Sequence, residues 1–351
     1  IMADKFKFDV VIGNPPYQEE DTSSNSGSAR PIYNNFIESA INLCPKYILL
    51  ITPSVWFTGG KGLDNFRTSM LRDKRFQEFN SYLTANDVFK GVNLRGGVNF
   101  FLWNSLYDNV KHGIQSRTYQ NGKLIDEGVR PYQLEGLDIF IAENKSFAII
   151  SKLVSNSYIK LDDNSDIMLS KYISVRNPFS FPTTFKDFLP QSAERQILIY
   201  GSKNRSGYVS LQDVTENIEW VNYWKVITPF ANNIGTDLPD DNLNTIIAGP
   251  NSICTETYLV IGADLYLDKE SSSFLSKYLK TKFVRFLISL AKANQNGTRK
   301  TYRFVPLQDF TDQSDVPWHL TIPEIDQYLY QKYGLSQEEI DFIEEKVKAM
   351  E

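Results

Sequence analysis

The residues best placed to do chemistry in this sequence are Asn14-Pro15-Pro16-Tyr17. Each proline fixes its φ and lacks a backbone N–H, so the turn offers carbonyls and the Asn14 side-chain oxygen with no competing donor from the prolines. A set of acceptors of this kind matches an exocyclic amine. Two hydrogen bonds accepted from such an amine localise its lone pair and aim it at an electrophilic methyl, which is positioning and electrostatics rather than deprotonation. Tyr17 adds a flat aromatic face on which a planar base or amide stacks.

The elements that must position these residues are legible around them. Val10 to Ile12, within the run Phe8-Asp9-Val10-Val11-Ile12-Gly13, read as a short strand of a parallel sheet, buried on both faces and stopped by the double proline. In doubly wound α/β sheets ligands bind just past the carboxyl ends of the strands, which is where this turn falls. Tyr33-Asn34-Asn35-Phe36 opens an apolar-periodic helix through Leu43. Tyr47 to Ile51 reads as the next buried strand, with Thr52-Pro53-Ser54-Val55-Trp56 as its exit turn. The polar stretch from Gln18 to Arg30 has two readings, a lid beside the site or a solvated connection.

Phe8 to Tyr17 resembles the N-P-P-Y motif of S-adenosylmethionine-dependent amino-methyltransferases, chiefly the N6-adenine DNA methyltransferases of restriction-modification systems. The resemblance implies that Asn14 and the Pro15 carbonyl, with Pro16 shaping the turn, hold an adenine amino group. Tyr17 then stacks on an adenine flipped out of the duplex, since the target nitrogen is otherwise paired inside it. The resemblance continues through Gly60-Lys61-Gly62-Leu63 with Phe66-Arg67, Met70-Leu71-Arg72-Asp73, Asp87-Val88-Phe89 and Gly96 to Trp103. In the last stretch the family places a second ring against the flipped base. Phe100 is the choice for it and Phe101 the alternative. The competing reading makes both of them core residues on alternating sides of a strand.

That family places its glycine-rich cofactor turn ahead of N-P-P-Y, and only thirteen residues precede Asn14. The clusters Gly59 to Gly62 and Gly91 to Gly97 lie where the family has other segments. The resemblance therefore implies a C-terminal part of a larger enzyme that lacks the cofactor-binding motif, is inactive by itself and takes S-adenosylmethionine only with the missing N-terminal half. A strand left unpaired beside Val10 to Ile12 is an apolar edge, and self-association or loss of order is expected there.

A chain of 351 residues with 42% hydrophobic content buries a full core and accommodates two or three domains. It contains no apolar run long enough to span a membrane and no visible signal peptide, which points to a cytoplasmic protein with no membrane partner. Cys44 and Cys254 are too few and too far apart for a metal cluster or disulfide framework, and His112 and His319 are isolated, so no metal site is expected. The expected layout is residues 1–128 as the C-terminal half of a methyltransferase catalytic domain, 129–155 as a linker helix region, 156–320 as a β-rich α+β target-recognition domain, and 321–351 as a helical pair. The recognition domain is read from the strands Gln196 to Tyr200, Tyr208 to Leu211, Trp220 to Thr228 and Tyr258 to Ile261 between Gly, Asn, Asp and Pro turns. Domains of this kind read base edges in the major groove. Trp224 and Lys225 are candidates for that role, or core residues.

The net charge of −5 comes from the tail, where residues 321–351 hold three basic against eight acidic residues. From Ser271 to Gln308 there is no acid at all. Leu279, Phe283, Phe286 and Leu290 mark the apolar side of one amphipathic helix ending near Asn296-Gly297-Thr298. Lys277, Lys280, Lys282, Arg285, Lys292, Arg299, Lys300 and Arg303 then form either a phosphate-binding stripe for double-stranded DNA or a solvated face balanced by acids elsewhere. In the tail, Ile325, Leu329 and Tyr333 form a helical stripe ended by Gly334, and Ser336 with Glu339 caps a final helix. Two functions compete: site-specific adenine methylation with base flipping, and a non-catalytic DNA-recognition module. DNA cleavage is not expected, since the acidic-x-Lys triplets Glu143-Asn144-Lys145 and Glu344-Glu345-Lys346 have no partnering aspartate on a strand.

Overall fold

The computed structural model describes residues 8–19, 30–60, 62–91, 94, 96–189, 196–235, 241–292, 294–348 and 350. The chain divides into two compact units, residues 1–151 and 152–351. Both are mixtures of helix and strand.

The first unit contains strands β1 (Val10–Gly13), β2 (Gln18–Glu19), β3 (Arg30–Pro31), β4 (Tyr47–Pro53), β5 (Phe76–Tyr82), β6 (Val98–Asn104), β7 (Ile114–Gln120) and β8 (Lys123–Arg130). Its helices are α1 (Tyr33–Asn42), α2 (Asp64–Arg72), the single turn α3 (Asn109–His112) and α4 (Asn144–Ser155), the last running across the division. Six strands form one sheet in the order β1-β4-β6-β5-β7-β8. β1 runs parallel to β4 and β5 parallel to β7, while β6 lies antiparallel to both β4 and β5. The carboxyl ends of β1, β4, β5 and β7 therefore share one sheet end.

Alternation along the strands sends Ile48, Leu50, Phe79, Phe101 and Trp103 to one face, where they join Tyr33, Ile37 and Ala40 of α1, Phe66 and Met70 of α2, and Trp56 and Phe140 in a single core. Leu49, Ile51, Phe100 and Leu102, on the opposite face, are only half-buried.

The strand Val10 to Ile12 is not buried on both faces as its composition suggests. Among the described residues β1 is the last strand of the sheet, with β4 alone beside it, and Val10 and Ile12 are 50% and 75% exposed. Burial on both faces needs elements packed on each of them, and a strand at the end of the sheet meets fewer of these than a central one.

The second unit contains β9 (Gln196–Tyr200), β10 (Ser206–Ser210), β11 (Lys225–Pro229), β12 (Ile246–Ala248), β13 (Ser252–Cys254) and β14 (Tyr258–Ile261), followed by α5 (Lys269–Lys280), α6 (Lys282–Ala291), α7 (Ile322–Lys332) and α8 (Gln337–Lys346). Two three-stranded sheets, β10-β9-β13 and β12-β11-β14, close over a core containing Phe179, Ile199, Val209, Ile253 and Val260. The single long helix read between Leu279 and Leu290 is two helices. Thr281 adopts an extended conformation between α5 and α6, and its hydroxyl accepts from Val284 N, capping α6. No helix among the described residues is long and apolar enough to cross a membrane.

Candidate active-site edge and nucleic-acid interface

Asn14 to Tyr17 leave the carboxyl end of β1, whose register with β4 runs from Val10 opposite Tyr47 to Gly13 opposite Leu50. Asn14 and Pro16 are exposed, and Pro15 and Tyr17 half-buried. Among the described residues the Asn14 side chain has no hydrogen-bond partner, so its oxygen is available to a ligand. Tyr17 is held more firmly. Its carbonyl accepts from Ile32 N at 3.1 Å, and the β2–β3 ladder pairs Gln18 with Pro31 and Glu19 with Arg30. The stretch between the two arms, read as a lid or as a solvated connection, lies largely outside the described residues. The Tyr17 ring meets Phe89 edge-on at 6.3 Å and packs against the core. Its hydroxyl is buried without a partner, and burial pushes its pKa up to about 12.

Beside this turn, the exit of β4 is pinned to the start of β6. Ser54 N donates to Gly97 O at 3.1 Å, and the fully buried Asn99 donates its amide to Thr52 O at 3.2 Å and to Ser54 Oγ at 3.3 Å. Gly97 has a φ of +72° and lies against the Tyr82 and Leu83 carbonyls so closely that any Cβ would collide with them. Asn99 and Phe89 were visible in the sequence only as parts of longer stretches. Only the asparagine, a polar residue in an otherwise apolar strand, carried a signal that could have singled it out.

The two rings offered for the second stacking position take opposite faces. Phe101 is 1% exposed within the core, whereas Phe100 is half-buried and lies 6.2 Å from Tyr82, which in turn stacks on Tyr119 at 4.6 Å. Among the described residues no ring contact joins Phe100 to Tyr17.

Gly59, at a φ of +100°, wraps the guanidinium of Arg67, which donates to Asp138 O and Asp64 Oδ1. Arg67 thus fills the space at Gly59, where no cradle for a resident methyl donor is built, whereas Gly60 and Gly62 face open space. A groove of about 680 Å³ lined by Asn65, Arg72, Asp73 and Arg75 lies at the amino end of β5, the sheet end opposite Asn14. No cluster of metal-ligating residues exists among the described residues.

In the second unit most of the basic stretch does not form a solvent stripe. Lys277 donates to Trp318 O and Leu320 O, Lys282 pairs with Glu344 at 2.6 Å, and Arg299 donates to Ser170 O and Asn164 Oδ1. Arg285 is buried, donating to Lys280 O and Lys348 O, and burial lowers its pKa. Arg303 is also buried, against Asp163. Lys292 donates to Asn232 O and Ile234 O, with its pKa lowered to about 8 by burial. Carbonyls and acids from segments distant in sequence absorb these charges. Half-buried Lys280 and exposed Lys300 are the members with no such partner among the described residues. Lys225 is likewise internal: it is fully buried, donates to Trp220 O and Tyr223 O, and has its pKa lowered to about 8 by burial. Glu143 directly precedes α4 and accepts from Ser146 Oγ at 2.9 Å.

Residues 1–89 match the family described as Eco57I restriction-modification methylase. A Mycoplasma pneumoniae protein described as an uncharacterized adenine-specific methylase is 32% identical over 164 residues, a match covering 45% of this chain and 37% of that protein. The chain thus spans little more than a third of its curated relative. The type IIL restriction-modification enzyme MmeI, solved in complex with DNA, is similar in fold, with a TM-score of 0.51 at 10% identity over 96% of this chain and 56% of MmeI. Residues 1–89, which carry the Asn14 to Tyr17 turn, are thus similar to the Eco57I restriction-modification methylase family.

Proposed function

We propose that this chain holds the target base and the DNA in a site-specific methyltransferase of a restriction-modification system, one that transfers a methyl group to the N6 amino group of an adenine flipped out of the duplex. The observation that carries this reading is the Asn14 to Tyr17 turn. It presents an unpartnered amide oxygen and two proline-flanked carbonyls past the carboxyl end of β1, next to a ring that meets Phe89 edge-on. Asn14 and the Pro15 carbonyl accept from the adenine amine and direct its lone pair outward. Tyr17 stacks on the base, and Phe100 is the proposed second ring. S-adenosylmethionine supplies the methyl group in the complete enzyme.

Double-stranded DNA is the proposed partner of the second unit, with Lys280 and Lys300 toward phosphates. The open edge of β1 is the proposed contact to a further methyltransferase half. The test is chemical. Duplex DNA incubated with the complete enzyme and S-adenosylmethionine, then digested to nucleosides, should yield N6-methyldeoxyadenosine. A methylated cytosine, or no methylated base, contradicts the reading.

A further inference from the structure

The second unit carries one exposed basic element that the acid-free stretch does not include. β9 and β10 form a hairpin with five paired positions, from Gln196 opposite Ser210 to Tyr200 opposite Ser206. Its connection closes with Gly201 N donating to Arg205 O at 2.7 Å and Arg205 N to Ser202 O at 3.3 Å. The two central residues, Lys203 and Asn204, have φ of +57° and +56°. These left-handed conformations are those of the tight hairpin turn that most often uses Asn-Gly. A lysine at the first position is strained there, and backbone strain of this kind clusters at functional positions.

The tip is presented stiffly. Ile197, Ile199 and Val209 anchor the stalk in the core. The Phe188 ring lies across both glycines at the base of the turn: a Cβ at Gly207 would fall 2.5 Å from Phe188 Cγ and one at Gly201 3.3 Å from Phe188 Cζ. Leu189 N binds Tyr208 O at 2.7 Å, tying the Phe188 segment to β10. Lys203, Asn204 and Arg205 are all exposed, and no acid lies between Gly201 and Gly207. The Arg205 guanidinium is preset by its bonds to Ser202 O at 3.2 Å and Ser202 Oγ at 3.1 Å.

We propose that this turn is the base-reading tip of the protein: it enters the major groove of duplex DNA, with Asn204 and Arg205 on base edges and Lys203 on a phosphate. A two-stranded ribbon fits that groove, an asparagine amide matches the N6 and N7 edge of adenine, and an arginine fork matches O6 and N7 of guanine. The inference rests on the DNA-methylase reading for the identity of the duplex, and names the side chains that choose its sequence.

The experiment uses the complete enzyme, wild type and with Asn204→Gly or Arg205→Ala, on a randomised duplex library with two readouts: the sequences bound and the sequences methylated. Asn204→Gly removes the side chain while relieving the backbone, so its fold is retained. Each variant should lose roughly 10- to 100-fold discrimination at one base position and keep the rest of the motif. If no adenine is methylated but the variants still alter the bound motif, the hairpin inference stands and the methylase reading fails. Motifs identical to wild type in both folded variants, or no motif selected by the wild type, overturn the inference.

Discussion

Asn14 sits past the last paired residue of β1, and among the described residues its side chain has no partner, so accepting a target amine breaks no internal hydrogen bond. Tyr17 differs in kind, because its ring is held while its hydroxyl is buried and unpaired. A buried donor without an acceptor contributes nothing and costs its desolvation. Tyr17→Phe should therefore leave stability unchanged or raise it by about 1 kcal/mol, and leave methyl transfer intact, because the stacking face survives. A urea midpoint clearly below wild type would show that the hydroxyl has a partner. The motif was legible in the sequence because four adjacent residues fix their own turn. The pinning of Gly97 and Asn99 to Ser54 was not, since it depends on β6 returning beside β4.

Elements were read most reliably where local chemistry decides them. β9 and β14 run over the expected residues, and the Ser336–Glu339 capping box is present at α8. The break at Thr281 was hidden, because the apolar spacing of Leu275, Leu279, Phe283 and Phe286 continues through it. What sustains the break is distant in sequence: Asp326 of α7 accepts from Lys282 N and Phe283 N, both at 2.9 Å, at the open amino end of α6. Burial pushes the Asp326 carboxyl up to about 6, against the pull of those two amides. A folded value above the unfolded one, near 3.9, means that the fold binds the proton more tightly. This contribution to stability is greatest at low pH and declines as pH rises from about 4 to about 6. The difference in unfolding free energy between wild type and Asp326→Asn should shift across that window. A difference that stays flat from pH 4 to 7 would show that Asp326 is already ionised at the lower end.

At the scale of the whole molecule, each unit has its own core and the question becomes what its surfaces do. Six of the eight cations in the acid-free stretch meet carbonyl or carboxylate partners from outside it, which a charge count along the sequence does not reveal. Lys280→Glu with Lys300→Glu should flatten the salt dependence of DNA binding by about 0.9 in logarithmic slope per lost phosphate contact. An unchanged slope removes both residues from the interface. Reversing the buried Arg285 should instead lower stability. The β1 edge predicts self-association of this chain in solution, relieved by Ile12→Lys. Sedimentation showing a monomer before substitution would remove the edge as a contact. The central claim is that the Asn14 turn orients the target amine, and single-turnover methyl transfer by the complete enzyme with Asn14→Ala tests it most directly. The transfer rate should fall by roughly 10²- to 10³-fold, with DNA affinity nearly intact. A single-turnover rate equal to wild type would contradict the claim.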